Sequence, residues 1–210
     1  MSYYEFPSTF IYWESLKDHD ELKAKYMPII DKIERDHPED LKNPYKDYCD
    51  VEFMSMDPEH KHKFLESDDI TKIIWNPIDN FLKKMKSVTH IKESQLKNYW
   101  FNTYKYGDYQ ELHNHHDTPY VLNGKTYHPT FSGIYILNDE NETSSIVFRN
   151  NAVSTLYDIY DAIVFNTANY NDIKEGTVII FPHHLYHMVK KCTKPGRRTI
   201  AFNIFSDLQV

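Results

Sequence analysis

The sequence predicts an α+β fold, mainly β, in which helices at the N-terminal side buttress an antiparallel sandwich or barrel. Two observations predict it. Between Asp18 and His37 the apolar residues Leu22, Tyr26, Ile29, Ile30 and Ile33 recur at three- and four-residue spacing, the period of a helix with one buried face. From about Gln95 onward the texture changes to short β-rich runs broken by Asn, Asp, Gly and Pro, with no helical pattern between them, which disfavours a parallel α/β sheet.

The elements follow in order. Asp18, Asp20 and Glu21 open the first helix and Pro38 follows its end, while Pro28 inside the pattern is expected to kink it. A second helical pattern starts at Ser67 or Asp68. Asn76-Pro77 then reads as an N-cap with proline at the first helical position, leading through Ile78, Phe81, Leu82 and Met85. Strands are expected at Asn98 to Tyr104, Tyr109 to His115, Thr130 to Leu137, Ser144 to Phe148, Thr177 to Phe181 and Arg198 to Phe205, with a weaker one near Ala162 to Phe165. A length of 210 residues fits a single domain, with a helical support region over 1–94 and a β core over 95–210.

Composition narrows the function classes. Hydrophobic residues make up 40% and 17 tyrosines are present, which describes a packed globular chain. No apolar run approaches the roughly 18 residues of a membrane span, and the start MSYYEFPSTFIYW lacks a basic, cleavable leader, so a soluble, cytoplasmic protein is expected. Cys49 and Cys192 stand apart in no metal or disulfide motif. A formal charge of −7 argues against nucleic-acid binding. The basic run Lys190, Lys191, Lys194, Arg197 and Arg198 reads as either a solvated loop or a local anion site.

Chemistry concentrates in Gly107-Asp-Tyr-Gln-Glu-Leu-His113-Asn-His115-His116-Asp117. Residues i and i+2 of a strand point the same way, about 6.5 to 7 Å apart, so His113 and His115 can grip one cation; His115 and Asp117 offer a rival imidazole and carboxylate pair. A third imidazole, His187, follows the apolar run Gly176-Thr-Val-Ile-Ile-Phe-Pro182 by five residues. Three ligands from one side leave the opposite vertices of a metal open. Next comes Arg197-Arg198-Thr199-Ile200-Ala201-Phe202-Asn203, whose alternation puts Arg197, Thr199, Ala201 and Asn203 on one small, polar face. A guanidinium fork with a hydroxyl two residues on suits a carboxylate.

These blocks, in this order, resemble the 2-oxoglutarate/Fe(II) oxygenase superfamily, in particular phage and bacterial oxygenases related to prolyl 4-hydroxylases. The similarity runs the length of the chain. It rests on Phe6-Pro7-Ser8-Thr9, on Trp100-Phe-Asn102 with Gly107-Asp108 and His113-x-His115, and on Phe131-Ser-Gly-Ile-Tyr-Ile-Leu137. Gly176 to Pro182 with Leu185-x-His187, and Arg197-x-Thr199 with Phe202-Asn203, complete it.

The resemblance implies a double-stranded β-helix (the cupin-like jelly roll) with Fe(II) at its mouth. It implies 2-oxoglutarate as co-substrate, held at its far carboxylate by Arg197 and Thr199 with Tyr104 or Tyr135 assisting, and O₂ with ascorbate as accessory reductant. The implied substrate is a peptide, protein or small molecule, a peptidyl proline first, and the cytoplasm is the host cell's if the chain is phage-encoded. One departure stands out: the superfamily usually pairs its first histidine with Asp or Glu, where this chain has His115. The residues between Asp117 and Phe131 look like an insertion, a lid or substrate loop beside the iron. The competing readings are a cupin-like three-histidine metalloenzyme that does not use 2-oxoglutarate, and a binding module without catalysis on the same scaffold.

Overall fold

The computed structural model describes residues 9–36, 49–50, 52–56, 65–84, 90–115, 117–140, 142–150 and 164–208. Phe6, Pro7, Ser8, Pro38, Met85 and Ala162, each part of a pattern above, lie outside them.

Two antiparallel sheets pack face to face, with strands numbered in chain order. The larger runs β1 (Tyr12–Ser15), β10 (Thr177–Pro182), β7 (Lys125–Asn138), β12 (Arg197–Leu208), β4 (Ile91–Tyr104) and β3 (Glu52–Met56), with β6 (Tyr120–Leu122) beside β7. The smaller runs β2 (Cys49–Asp50), β5 (Tyr109–His113), β11 (Tyr186–Val189), β8 (Ile146–Arg149) and β9 (Val164–Asn166). This is the jelly roll.

Helix α1 (His19–Asp36) continues through Pro28 and buries Leu22, Tyr26 and Ile30. It covers the outer face of the larger sheet together with α2 (Ser67–Ile70), a π-helical turn (Thr71–Trp75) and α3 (Asn76–Lys84). Asn76 does not cap a new helix, contrary to expectation. Its backbone is helical (φ −61°, ψ −46°) and its N–H reaches back to the Thr71 carbonyl. Proline has no N–H to give and its ring crowds the carbonyl four residues back, so a widened turn just before Pro77 lets the helix run on.

The long strand β12 explains how one segment serves two layers. Ile200, Phe202 and Ile204 join the core under the helices, whereas Ala201 joins the core between the sheets with Ile134, Ile179, Phe148 and Phe181. Arg197, Thr199 and Asn203 share the inner face and are buried, as the alternation predicts.

The first ninety residues are less helical than their periodicity suggests. β1, β2 and β3 lie among them and pair with β10, β5 and β4 respectively. Short edge strands completed by partners distant in sequence carry no periodic signal of their own. The expected loop between Asp117 and Phe131 contains a β-hairpin: β6 and β7 meet at Asn123-Gly124, both at positive φ (51° and 75°), the conformation that an Asn-Gly hairpin turn requires.

Gly133 on β7 lies opposite Phe202, where an added Cβ would fall 2.0 Å from the ring. Gly133→Ala is therefore expected to destabilise the fold by about 1–3 kcal/mol, measured by chemical denaturation, and a second change, Phe202→Leu, to recover part of the loss.

Candidate metal centre

Antiparallel pairing of β11 with β5 sets His187 directly across from His113, and His115 follows two residues beyond. The His115 N–H donates to the His183 carbonyl at 3.2 Å, tying this exit from β5 to the end of β10. The three imidazoles thereby converge, with ring centroids 4.3 Å apart for His113 and His187, 5.0 Å for His115 and His187, and 5.6 Å for His113 and His115. One ligand nitrogen from each lies within 4.8 Å of the others. Among the described residues no other set of three or more His, Cys, Asp or Glu side chains gathers so closely.

Hydrogen bonds decide which nitrogens face the centre. Nδ1 of His113 lies 2.7 Å from the Glu111 carbonyl, and Nδ1 of His187 lies 3.1 Å from that of Leu185. Both acceptors fix the proton on Nδ1 and leave Nε2 with its lone pair. His115 uses a side chain instead: its Nδ1 lies 2.8 Å from Asn203 Oδ1 and 2.9 Å from Ser132 Oγ. Asn203 is itself oriented, because its Nδ2 donates to Asn98 Oδ1 and its Oδ1 accepts from the Ser132 hydroxyl. Burial pushes His113 below the ordinary imidazole value, His115 down to about 4 and His187 well below it. The resting state is three neutral imidazoles presenting three lone pairs. Phe148 and Phe181 pack on His187, and Trp100 on His115, which keeps water from the sides of the cluster.

A narrow cavity of about 30 Å³ runs from these histidines along the inner face of β12 to Thr199 and Arg197, with Trp100, Asn102 and Tyr104 of β4 in its wall. Arg197 is 2% exposed. Its Nη1 pairs with the carboxylate of Asp139 and donates to the Ser144 carbonyl at 3.3 Å, while its Nε is buried without a partner. Asn102 Nδ2 donates to Thr199 Oγ1 at 3.0 Å, and Asn102 Oδ1 is likewise buried and unpaired.

No protein-family model matches the sequence, and no curated protein is significantly similar to it. Solved structures do match. A prolyl-4-hydroxylase from Pseudomonas putida superposes with a TM-score of 0.57 at 10% identity, over 96% of this chain and 94% of its own. A viral collagen prolyl hydroxylase from Paramecium bursaria Chlorella virus-1, in complex with 2-oxoglutarate, gives 0.53 at 15% identity over 93% and 96%. A non-heme alpha-ketoglutarate-dependent epimerase from nogalamycin biosynthesis gives 0.61 at 10% identity over 94% and 77%. The chain has the fold of the 2-oxoglutarate/Fe(II) oxygenases.

Within this oxygenase fold the residues singled out from the sequence separate. His113, His115 and His187 come together, and Arg197, Thr199 and Tyr104 line the same cavity. Asp117 stands outside the cluster, exposed, its Oδ1 accepting from the Thr118 N–H at 2.8 Å. Tyr135 corrects an expectation: strand alternation turns it away from the cavity, into the core under the helices, where its hydroxyl lies 2.8 Å from His19 Nδ1. Arg198 also faces outward and pairs with Asp31 and Glu34 of α1. The basic run is thus split, with Lys190 and Lys191 exposed, Arg198 paired to α1 and Arg197 buried. Sequence reasoning missed Asp139, the partner of Arg197, and the tie from Asn203 to His115. Asp139 stands 58 residues before Arg197, in a turn with no motif to mark it; Asn203 was visible only as a member of the right face.

Asp139 also accepts from the backbone N–H and hydroxyl of Thr143, at 2.8 and 2.7 Å. Asp139→Ala would leave a buried guanidinium uncompensated, so a loss of about 3–5 kcal/mol is expected in chemical denaturation; a loss below about 1 kcal/mol would contradict the buried pair.

Proposed function

We propose that the protein is an Fe(II)- and 2-oxoglutarate-dependent dioxygenase, one catalytic domain, that hydroxylates a C–H bond. The observation that carries this is a single cavity with three imidazole lone pairs at one end and a buried guanidinium with an unpaired Nε at the other, on an oxygenase fold. The residues fit the implied groups. Neutral imidazole suits ferrous iron, a facial set leaves coordination positions for co-substrate and O₂, and the unpaired Nε asks for an acceptor such as a carboxylate. His113, His115 and His187 would hold the metal; Arg197 and Thr199, with Tyr104 beside them, would hold the far end of the co-substrate. When bound, these groups supply oxidative decarboxylation of 2-oxoglutarate to succinate and CO₂, coupled to hydroxylation of a substrate C–H bond.

The chain's own contribution is placement. Fixed Nδ1 hydrogen bonds aim the imidazoles before any ligand arrives, and the rings of Trp100, Phe148 and Phe181 exclude water from around them. Two of the structural neighbours are prolyl hydroxylases, which makes a peptidyl proline the first substrate to try, while the epimerase on the same fold shows why fold alone does not choose it. Among the described residues no carboxylate joins the histidine cluster, which favours one rival, a three-histidine cupin-like enzyme that does not use 2-oxoglutarate, and succinate release separates the two.

With Fe(II), ascorbate and 2-oxoglutarate the protein is expected to release succinate and, on the right peptide, give a product heavier by one oxygen. His187→Ala is expected to lose bound metal and to cut succinate release by more than about 100-fold, beyond the 10–100-fold typical of losing a supporting hydrogen bond. Succinate release at the wild-type rate in that variant would reject the assignment.

Asn203→Leu removes one of the two hydrogen-bond partners of His115 Nδ1, leaving Ser132 Oγ, without touching a ligand. A fall in metal affinity of about 10–100-fold is expected, read by competition with a chromogenic chelator.

A further inference from the structure

The cavity has an unusual distribution of charge. Its three candidate ligands are imidazoles, which bind a metal as neutral donors, so a divalent ion there keeps both of its positive charges. At the other end Arg197, the one buried cation among the described residues, is already matched by the buried carboxylate of Asp139. A dicarboxylate brings two negative charges into this space. With Asp139 present, the ion, the guanidinium, the Asp139 carboxylate and the ligand sum to zero; without it, one positive charge would be left buried.

We propose that Asp139 is a specificity-determining residue for the co-substrate: it supplies, behind Arg197, the single negative charge that the metal ligands lack, and so sets how strongly the cavity holds a dianion. This rests on the oxygenase reading above. Asp139 acts through Arg197, which lines the cavity, and it is positioned to do so permanently. Its Oδ1 is fixed by the N–H and hydroxyl of Thr143, and its Oδ2 by Arg197 Nη1. Burial of both partners means that little solvent screens the carboxylate from a ligand lying against the guanidinium.

The geometry also separates charge from shape. Asparagine in place of Asp139 keeps the side-chain shape and removes the charge, with its oxygen accepting from Thr143 or Arg197 and its amide nitrogen replacing the other acceptor. Position 115 offers the complementary change, since a carboxylate there would put a negative charge directly on the metal. Positions 115 and 139 are then two alternative places for one charge, and changes at them couple even though they touch different ends of the ligand.

The test is equilibrium binding of 2-oxoglutarate to the Mn(II)-saturated protein under argon, followed by calorimetry, so that no turnover is needed. Asp139→Asn is expected to bind 2-oxoglutarate on the order of tenfold more tightly than wild type, despite being less stable. Structural damage alone would weaken binding, so unchanged or weaker binding overturns the proposal. His115→Asp, with Asp139 intact, is expected to bind on the order of tenfold more weakly, and the double change His115→Asp with Asp139→Asn to recover it. His115→Asp binding 2-oxoglutarate as well as wild type overturns the proposal independently, which keeps it testable should Asp139→Asn fail to fold. Wild-type protein that takes up Mn(II) but no 2-oxoglutarate overturns the oxygenase reading and this inference with it, a result distinct from either variant outcome.

Discussion

The site depends on the register between β5 and β11. His113 and His187 meet because the antiparallel ladder sets them opposite one another, and opposed residues share a face. A slip of one residue would send one imidazole to the other side of the smaller sheet and leave a buried polar ring among the phenylalanines. The ladder also shifts register between His187 and Val189. That irregularity falls beside the cluster, where a bulge re-aims side chains at a strand end. His115, past the end of β5, depends on the same register at one remove, since its N–H reaches the loop that follows β10.

The second constraint is that β12 is buried on both faces. A strand between two layers normally reads as continuously apolar, yet Arg197, Thr199 and Asn203 alternate with Ile200, Phe202 and Ile204. Each polar member of that face is committed within the protein. Arg197 is matched by Asp139, Thr199 accepts from Asn102, and Asn203 orients His115. Burying these groups is tolerable only because they are paired, and two unpaired buried atoms, Arg197 Nε and Asn102 Oδ1, belong to residues in the cavity wall, where a ligand can complete them.

Much of this was legible in the sequence because it is local. Short β-rich runs bounded by Asn, Asp, Gly and Pro located β4, β7, β10 and β12, period-two alternation assigned the inner face of β12, and the spacing of His113 and His115 put two imidazoles together. What stayed hidden depends on pairing between distant segments. β1 and β3 are strands because β10 and β4 accept them at the edges, a tertiary effect that overrides weak local signals. Asn76-Pro77 looks like a helix start by every local rule, and only the continuous apolar face of Ile73, Ile74, Ile78 and Phe81 shows why the helix is worth continuing through a π turn. Tyr135 was misplaced for a simpler reason: alternation puts Ile134 toward the cavity and Tyr135 away from it, and the motif resemblance named the residue without that parity.

Preorganisation of the histidines follows from features that do not involve a metal. Three nearby imidazoles would repel if protonated, and burial removes that prospect by holding each neutral at ordinary pH. Two backbone carbonyls and one carboxamide then fix the ring orientations, so a ligand cation meets lone pairs already aimed and does not have to order the site as it binds. The surrounding core, from Phe148 and Phe181 to Ile179 and Ala201, is apolar packing. The chemistry of the cavity is set by where its few buried charges lie rather than by the apolar packing of the jelly roll around them.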